Sequence, residues 1–280
     1  MKLSVIIPVY KAEKTLEKCV KSIIMQPFDD MELWLIDDGS PDHSGELCDQ
    51  LSATDRRINV IHKPNGGPSD ARNAALDAAT GDYIMCVDSD DYLTPDTIVP
   101  LMEYIEQNKD CDILEFGVEY IGSKRKRLTF TEHVYGSADE YWHDSVGWEH
   151  GYFCNKVIRR SLFDHNRFAK GRFFEDLLLL PDLMLENPTV HTTDRGCYCY
   201  KFNNEGTSAN ISAGFIKQLL YAEAEAKRKM HTTLVRKNGW KLYYKMLCRQ
   251  VDIYRLSGEI ILKWPGVRIV CWLHKKLAKH

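Results

Sequence analysis

The sequence GDYIMCVDSDD at 81–91 constrains the fold more than any other stretch of the chain. Its apolar middle is bounded by a glycine and by acids, a pattern typical of a short buried strand. Asp88, Asp90 and Asp91 follow at the carboxyl end of that strand. Ligands of open α/β sheets bind beyond the carboxyl ends of the strands, and carboxylate oxygens suit Mg²⁺ or Mn²⁺. These acids therefore mark a candidate site, with an ordinary acidic turn as the alternative.

Short apolar runs alternate with segments of helical periodicity along the first part of the chain. Strands that are apolar nearly throughout are typical of parallel sheets, which are buried on both faces. Ser69 and Thr94-Pro95 are expected to open two of the intervening helices. The pattern predicts an α/β fold with a parallel, doubly wound sheet. The predicted strands span residues 3–9, 33–36, 58–61, 83–87 and 112–120.

Four motifs stand in order in this region. They are SVIIPVY at 4–10, DDGS at 37–40, NGGPSDARN at 65–73 and VDSDD at 87–91. Each is weak alone, but all four in this order and spacing resemble the large family 2 of inverting glycosyltransferases. The pair Glu175-Asp176 and the segment 198–208 resemble later motifs of that family more loosely. The resemblance implies a GT-A fold, in which a Rossmann-like, mostly parallel sheet is flanked by helices.

The resemblance also suggests how the chain is divided. It implies that residues 1–100 are the nucleotide-sugar-binding half and 101–213 the acceptor-binding half of one GT-A domain. Residues 214–280 are then a basic helical C-terminal extension. From residue 217 onward the chain carries 15 Lys and Arg against 4 Asp and Glu, or +11, whereas the rest carries −14. A basic tail on an acidic body predicts an acidic partner or an anionic surface.

The acids and glycines by themselves indicate a nucleotide-diphosphate site with a divalent metal, and the resemblance adds the sugar. The residues it implies for nucleotide-sugar binding are Pro8, Val9, Tyr10, Asp38, Gly67, Arg72, Asp88, Ser89 and Lys201. In the family, the acid matching Asp38 accepts the imide N–H of uracil, which favours UDP. Arg72 matches an arginine that reaches the base or the diphosphate, and Asp90 matches the ligand of Mn²⁺ or Mg²⁺. A surface ion pair for Arg72 and a plain tight turn at Gly67 are the alternatives. Lys201 replaces a common arginine and lacks its fork geometry.

The pair Glu175-Asp176 is expected in the first turn of a helix. Acids there are favoured by the helix dipole, so plain capping is one interpretation. The resemblance implies another, in which Asp176 is the general base that takes the proton of the acceptor hydroxyl. Glu175 would then position Asp176 or share its task. A single in-line displacement inverts the anomeric carbon and needs no covalent nucleophile.

We therefore expect a metal-dependent transferase that moves one sugar from a UDP-sugar to a carbohydrate or lipid-linked saccharide in cell-surface polysaccharide synthesis. The Gln-x-x-Arg-Trp motif of processive synthases is absent, which favours single additions. A non-catalytic sugar-nucleotide-binding or scaffold protein is one alternative, although the acids are intact. A nucleotidyltransferase is the other, although the turn after the first strand lacks the required basic, glycine-rich loop. We expect no nucleic-acid partner.

Residues 267–279 show a two-faced helical pattern. Arg268, Lys275 and Lys279 fall on one stripe, and the opposite stripe consists of Ile269, Val270, Leu273 and Leu277, with Trp272 near the boundary. This pattern is typical of a helix that lies on a membrane surface. It is equally typical of a helix packed on its own domain. A homodimer through the C-terminal helices is a third interpretation.

The termini and the cysteines bear on location. The apolar start of the chain is too short for a signal peptide, and no apolar run has transmembrane length. The nine cysteines show no CxxC pair and no zinc-ligand spacing. We therefore expect a cytoplasmic protein, held peripherally at the inner face of the plasma membrane if the tail binds lipid.

Overall fold

The computed structural model of the protein describes residues 1–203 and 212–277. The strands are β1 Leu3–Val9, β2 Met31–Asp37, β3 Ile58–His62, β4 Tyr83–Cys86, β5 Tyr92–Leu93, β6 Ile113–Ile121, β7 His133–Val134, β8 Lys156–Arg159 and β9 Val190–Lys201. The helices are α1 Leu16–Ile24, α2 Ser44–Ser52, α3 Pro68–Ala78, α4 Ile98–Gln107, α5 Ala138–Asp144, α6 Glu175–Leu185, α7 Ala213–Lys229, α8 Gly239–Ser257 and α9 Val267–Leu277. Part of the 198–208 motif, Lys279 and the side chains of Lys275 and Leu277 lie outside the described residues.

The strands form one sheet in the order β3-β2-β1-β4-β8-β6-β9-β5, and β7 pairs with β9. β1 pairs in parallel with β2 and β4, and β2 pairs in parallel with β3. β6 pairs in parallel with β9. β8 is antiparallel to both β4 and β6 and joins these two parallel parts. The predicted α/β fold with a mostly parallel sheet is confirmed. Because β2 and β4 flank β1, the strand order reverses there, and a ligand crevice is expected at the carboxyl ends of β1 and β4.

Helices cover both faces of the sheet. On one face, Val5 and Ile7 of β1 pack with buried residues of α1, α2 and α4. On the opposite face, Ile6 joins a cluster that includes residues of α3, α5, α6, α7 and α8. Burial on both faces explains why β1 is apolar nearly throughout. Since α7 and α8 share this cluster, these two helices belong to the main core, and the division at residues 100 and 213 stays a prediction.

α4 begins at Ile98, later than the predicted start at Thr94. The chain between the acid turn and α4 first forms β5, Tyr92–Leu93, which pairs with β9 and was not predicted. Gln26 Oε1 accepts the backbone N–H groups of Thr97 and Ile98 at 2.9 and 2.6 Å. A side chain distant in the sequence therefore fixes where this helix starts.

A buried ion cluster lies between β6 and β8. Glu115 Oε1 is 2.7 Å from Lys156 Nζ and 2.8 Å from His150 Nδ1. Burial opposes the charge of Glu115, but His150 and Lys156 outweigh it and lower the pKa of Glu115 to about 2. Lys156 Nζ also donates to the carbonyls of His150 and Tyr152 at 2.8 and 2.7 Å. The cluster therefore fixes the loop before β8, which reaches the candidate site.

α9 packs on α8, but not through its predicted apolar stripe. Val267 and Cys271 are buried in a small cluster with Val251 of α8. Ile269 and Leu273, which belong to the predicted stripe, are 63% and 45% exposed. Among residues 1–203 and 212–277, no helix combines the length and apolar character needed to cross a bilayer.

Candidate active site

The carboxyl ends of β1 and β2 meet at one edge of the sheet. The backbone N–H of Asp38 donates to the carbonyl of Val9 at 2.9 Å, which joins the turns that follow these strands. Pro8 is partly buried and Val9 is buried, whereas Tyr10 is 46% exposed. The ammonium of Lys11 lies 5.3 Å from the centre of the Tyr10 ring. Tyr10 and Asp38 therefore lie on turns that meet at this edge, and their contact with a base stays a prediction.

Asp38 holds the glycine loop that precedes α3. Its Oδ1 accepts from Lys63 Nζ at 2.6 Å and from Gly66 N at 2.9 Å, and its Oδ2 accepts from Gly67 N at 2.7 Å. Gly67, and not Ser69 as predicted, is the N-cap of α3, with a φ of 85° that glycine adopts without strain. The Asp38 side chain is 4% exposed, and these three donors occupy three of the about four acceptor positions of a carboxylate. The contact with Lys63 was missed in the sequence.

Asp88, Ser89 and Asp90 form a partly exposed turn directly after β4. Asn203 Nδ2 donates to Asp90 Oδ2 at 3.3 Å. Burial and then the charge of Asp88 raise the pKa of Asp90, while Asn203 and Lys201 act in the opposite direction. The structure therefore brings together Asp88, Asp90 and the basic Lys201, three of the residues predicted to bind the nucleotide sugar or its metal.

Asp88 and Asp90 suit a Mg²⁺ or Mn²⁺ site that the substrate completes. Their charges disfavour each other, and a bound cation offsets such repulsion. Within the described part of the chain, no group of three or more His, Cys, Asp or Glu is arranged to hold a metal. Mg²⁺ is usually bound by one or two carboxylates together with water and substrate phosphates. The donor set therefore fits a shared site and not a cage made by the protein alone.

Asp91 anchors this turn to β9. The buried carboxylate accepts a hydrogen bond from the Tyr198 hydroxyl at 2.6 Å and from the backbone N–H of Lys201 at 2.7 Å. The backbone N–H of Asp88 donates to the same hydroxyl at 3.2 Å. Burial and the charge of Asp88 raise the pKa of Asp91 to about 8. Sequence reasoning missed this anchor because Tyr198 is 107 residues away from Asp91.

Arg72 joins the donor side of the site to the acceptor side. Its Nη2 donates to Asp88 Oδ1 at 2.8 Å and its Nη1 to Glu175 Oε1 at 2.6 Å. The side chain is 8% exposed, and its Nε has no hydrogen-bond partner among the described residues. Both terminal nitrogens thus bind protein carboxylates inside the site. Arg72 therefore does not form a surface ion pair, which was the alternative interpretation of this residue. A contact of Arg72 with the base or the diphosphate stays a prediction.

Asp176 lies beside the two ion pairs of Arg72, here called the Arg72 bridge, and only one of its carboxylate oxygens has a hydrogen-bond partner among the described residues. Its Oδ2 accepts the backbone N–H of Phe153 at 3.2 Å, and its buried Oδ1 has no partner in the described part of the chain. Burial raises the pKa of Asp176 to about 7; the charges of Glu175 and Asp88 add to this effect and Arg72 opposes it. A carboxylate that titrates near neutral pH and has an unpaired oxygen is suited to accept a proton.

A strained residue precedes the acid pair. Phe174, the N-cap of α6, has φ 62° and ψ 35°, in the left-handed region. For a bulky side chain this conformation costs about 1–3 kcal/mol. The turn directs Glu175 to Arg72 and Asp176 to the Phe153 N–H, so the observed partners of both acids lie outside α6. Plain capping of α6 therefore does not describe these carboxylates.

Comparison with known sequences supports the resemblance. Residues 4–167 match the family model "Glycosyl transferase family 2". The chain is 33% identical over 214 residues to the uncharacterized glycosyltransferase EpsJ of Bacillus subtilis, covering 72% of this chain and 61% of EpsJ. It is 29% identical over 278 residues to the glycosyltransferase GlyA of Streptococcus pneumoniae, covering 93% of this chain and 38% of GlyA. The chain thus spans less than two thirds of the length of either relative.

Solved structures share the fold. S. aureus TarS, crystallised with UDP-GlcNAc, matches with a TM-score of 0.69 at 21% identity, over 91% of this chain and 81% of that one. The mannosyltransferase PcManGT from Pyrobaculum calidifontis, in complex with GDP-Man and Mn²⁺, matches with a TM-score of 0.63 at 13% identity, over 100% and 81%. The GT-A fold that the resemblance implied is therefore confirmed.

The substitution Asp176→Asn tests the environment of Asp176 without requiring a substrate. Because the pKa of about 7 in the folded protein exceeds the ordinary 3.8, ionisation of Asp176 disfavours the folded state as the pH rises between these values. We expect Asp176→Asn to have a higher Tm than wild type, with a difference that grows up to about pH 7 and then stays constant.

Differential scanning calorimetry across this pH range measures the effect. The groups that face Asp176 are Arg72, Glu175, Asp88, Cys86 and Cys154, and all five are present in both proteins. The exposed Asp164→Asn serves as the matched control and should change the Tm little. A Tm difference that does not vary with pH, or that shrinks as the pH rises, would contradict the placement of Asp176.

Proposed function

We propose a function from the premise that the chain belongs to glycosyl transferase family 2. In this proposal the protein transfers one sugar from a nucleotide sugar to a carbohydrate or lipid-linked saccharide acceptor, with inversion at the anomeric carbon. The reaction would take place in cell-surface polysaccharide synthesis. One observation carries the proposal. Asp176, with an unpaired oxygen and a pKa raised towards neutrality, stands across the Arg72 bridge from the Asp88–Asp90 turn. A base and a diphosphate site on opposite sides of one crevice are what a direct displacement needs.

The proposed donor is a UDP-sugar. The exposed ring of Tyr10 and the remaining acceptor position of Asp38 support a uracil site next to Pro8 and Val9. TarS was crystallised with UDP-GlcNAc and PcManGT with GDP-Man, so the fold alone does not choose the base. Asp38 is the residue on which the choice of uracil rests, because a carboxylate accepts the imide N–H. Gly67 and Ser89 are proposed to approach the nucleotide closely.

Charge sets the proposed mechanism. Asp90 would hold Mn²⁺ or Mg²⁺, with Asp88 near the ribose, and the bound metal would neutralise charge on the departing diphosphate. The Lys201 ammonium adds positive charge at the same end of the crevice. The Asp176 carboxylate would take the proton of the acceptor hydroxyl while the hydroxyl oxygen attacks the anomeric carbon, and the bond from that carbon to the diphosphate breaks on the opposite side. Glu175, held by Arg72, keeps Asp176 oriented.

A panel of UDP- and GDP-sugars tests donor, metal and base together. We expect release of UDP from at least one UDP-sugar with Mn²⁺ and loss of that release with a chelator. For Asp176→Asn the rate should fall by about 10²- to 10⁴-fold, the usual contribution of a general base. A coupled assay of nucleoside diphosphate measures the release, with Asp164→Asn as the control.

The outcomes separate the parts of the proposal. Equal rates for wild type and Asp176→Asn would remove Asp176 from the role of base. Release of GDP alone would overturn the choice of UDP. If neither nucleotide is released and UDP shows no Mn²⁺-dependent binding by calorimetry, the transferase proposal fails and a scaffold protein is favoured.

We also propose that α9 contacts the anionic inner face of the cytoplasmic membrane, near a lipid-linked acceptor. Ile269 and Leu273 are exposed apolar side chains of α9, and the neighbouring Arg268 is exposed as well. The chain from residue 217 onward carries a net charge of +11, which complements an anionic lipid surface. A homodimer through this face is the competing occupant.

Binding to vesicles that contain phosphatidylglycerol tests this contact. We expect wild-type protein to cosediment at low salt and to be released at about 1 M salt, where charges more than about 3 Å apart are screened. Leu273→Ser should weaken binding, whereas Leu185→Ser, an exposed leucine of α6, should not. Salt-insensitive binding, or a dimer in solution that Leu273→Ser dissociates, would contradict the membrane proposal.

A further inference from the structure

The strained turn before the acid pair is covered by α7. The Phe215 ring of α7 lies 4.7 Å from the Phe174 ring and 5.6 Å from the Phe173 ring, centre to centre. The backbone N–H of Phe173 donates to Gln218 Oε1 at 3.0 Å. The two residues immediately before Glu175 are thus held by α7 through both ring packing and a hydrogen bond.

Something outside α6 must hold Phe174 in its conformation. A bulky residue stays in the left-handed region only when its surroundings over-determine it, and no side chain caps α6. A glycine would adopt the same backbone angles without strain. Phe174 instead contributes a ring that packs against Phe215 of α7. This contact therefore stabilises the strained turn.

α7 is a firm support because it is itself anchored along α6. Ile216 and Leu220 are buried in the main core. At the far end of the helix, Lys229 Nζ lies 2.6 Å from Asp182 Oδ1 of α6. The start of α7 is therefore fixed relative to the first turn of α6, where the acid pair lies.

We propose that Phe215 and Gln218 are positioning residues that hold the Glu175-Asp176 pair in register with Arg72 and the Phe153 N–H. This inference rests on the proposed function of the acid pair. Neither residue touches the reacting groups, and both lie outside residues 4–167, which match the family model. The beginning of the C-terminal helical region is thereby part of the catalytic unit and not only an anchor.

The substitution Phe215→Ala removes the supporting ring. We expect kcat to fall by about 10- to 100-fold, because small displacements of a catalytic group have effects of this size. The KM for the donor should change by less than about twofold, since the proposed donor contacts lie on the other side of Arg72. Gln218→Leu, which removes one hydrogen-bond acceptor, should act in the same direction more weakly.

The double variant Phe174→Gly, Phe215→Ala separates positioning from stability. Glycine removes the strain, so we expect it to restore kcat several-fold relative to Phe215→Ala, although a second ring is lost. A merely structural role predicts a further loss instead. Tyr244→Ala, which truncates a 63% exposed aromatic of α8, is the matched control and should keep the wild-type kcat.

Amide hydrogen exchange over residues 172–180 provides a readout that needs no substrate. We expect faster exchange in Phe215→Ala and Gln218→Leu, and slower exchange again when Phe174→Gly is added. Unchanged exchange in Phe215→Ala, or a loss of kcat that Phe174→Gly does not recover, overturns the inference. Should the wild type transfer no sugar, the proposed function fails, while the exchange pattern still decides whether α7 holds the turn.

Discussion

The buried guanidinium of Arg72 is the contact on which the candidate site depends. It links α3 to α6 through Glu175, a residue 103 positions later in the chain. The side chain of Asn73 reinforces the link, because it donates to the carbonyl of Phe168 at 2.9 Å and accepts its N–H at 3.0 Å. Removing one partner of a buried ion pair typically costs about 3–5 kcal/mol, so the two sides of the crevice are strongly tied. The ion pair between Arg72 and Asp88 contributes less to stability, because the Asp88 side chain is 40% exposed and water screens its charge.

The bridge also explains the electrostatics of the acids. One buried cation faces Asp88, Glu175 and Asp176, and it pairs directly with only the first two. Asp176 is left with a backbone N–H and an unpaired oxygen, and burial then raises its pKa. Strongly shifted carboxylates in a crevice are typical of sites that move protons. The same arrangement that ties Asp88 to Glu175 thus leaves the Asp176 carboxylate able to accept a proton.

Local sequence patterns predicted the elements but not the contacts between them. β1 was recognisable because burial on both faces requires an apolar run, and the first turn of α6 because acids favour helix starts. The partners of Arg72 and the pairing of Asp91 with Tyr198 have no local signal, since each joins residues far apart in the chain. The left-handed Phe174 is set by packing on α7 and runs against its own preference. α9 packs on its own domain, which was one of the interpretations of its pattern, but Val267 and Cys271 face α8 and the predicted stripe does not.

A double-mutant cycle between Arg72 and Glu175 tests the bridge most directly. The free energy of unfolding in urea would be measured for wild type, Arg72→Gln, Glu175→Gln and the double variant. We predict a coupling energy of about 1–3 kcal/mol, because each single substitution leaves a buried charge without its partner and the second relieves it. Additive effects, with a coupling energy within about 0.3 kcal/mol of zero, would contradict the claim that this ion pair holds the two sides of the site together.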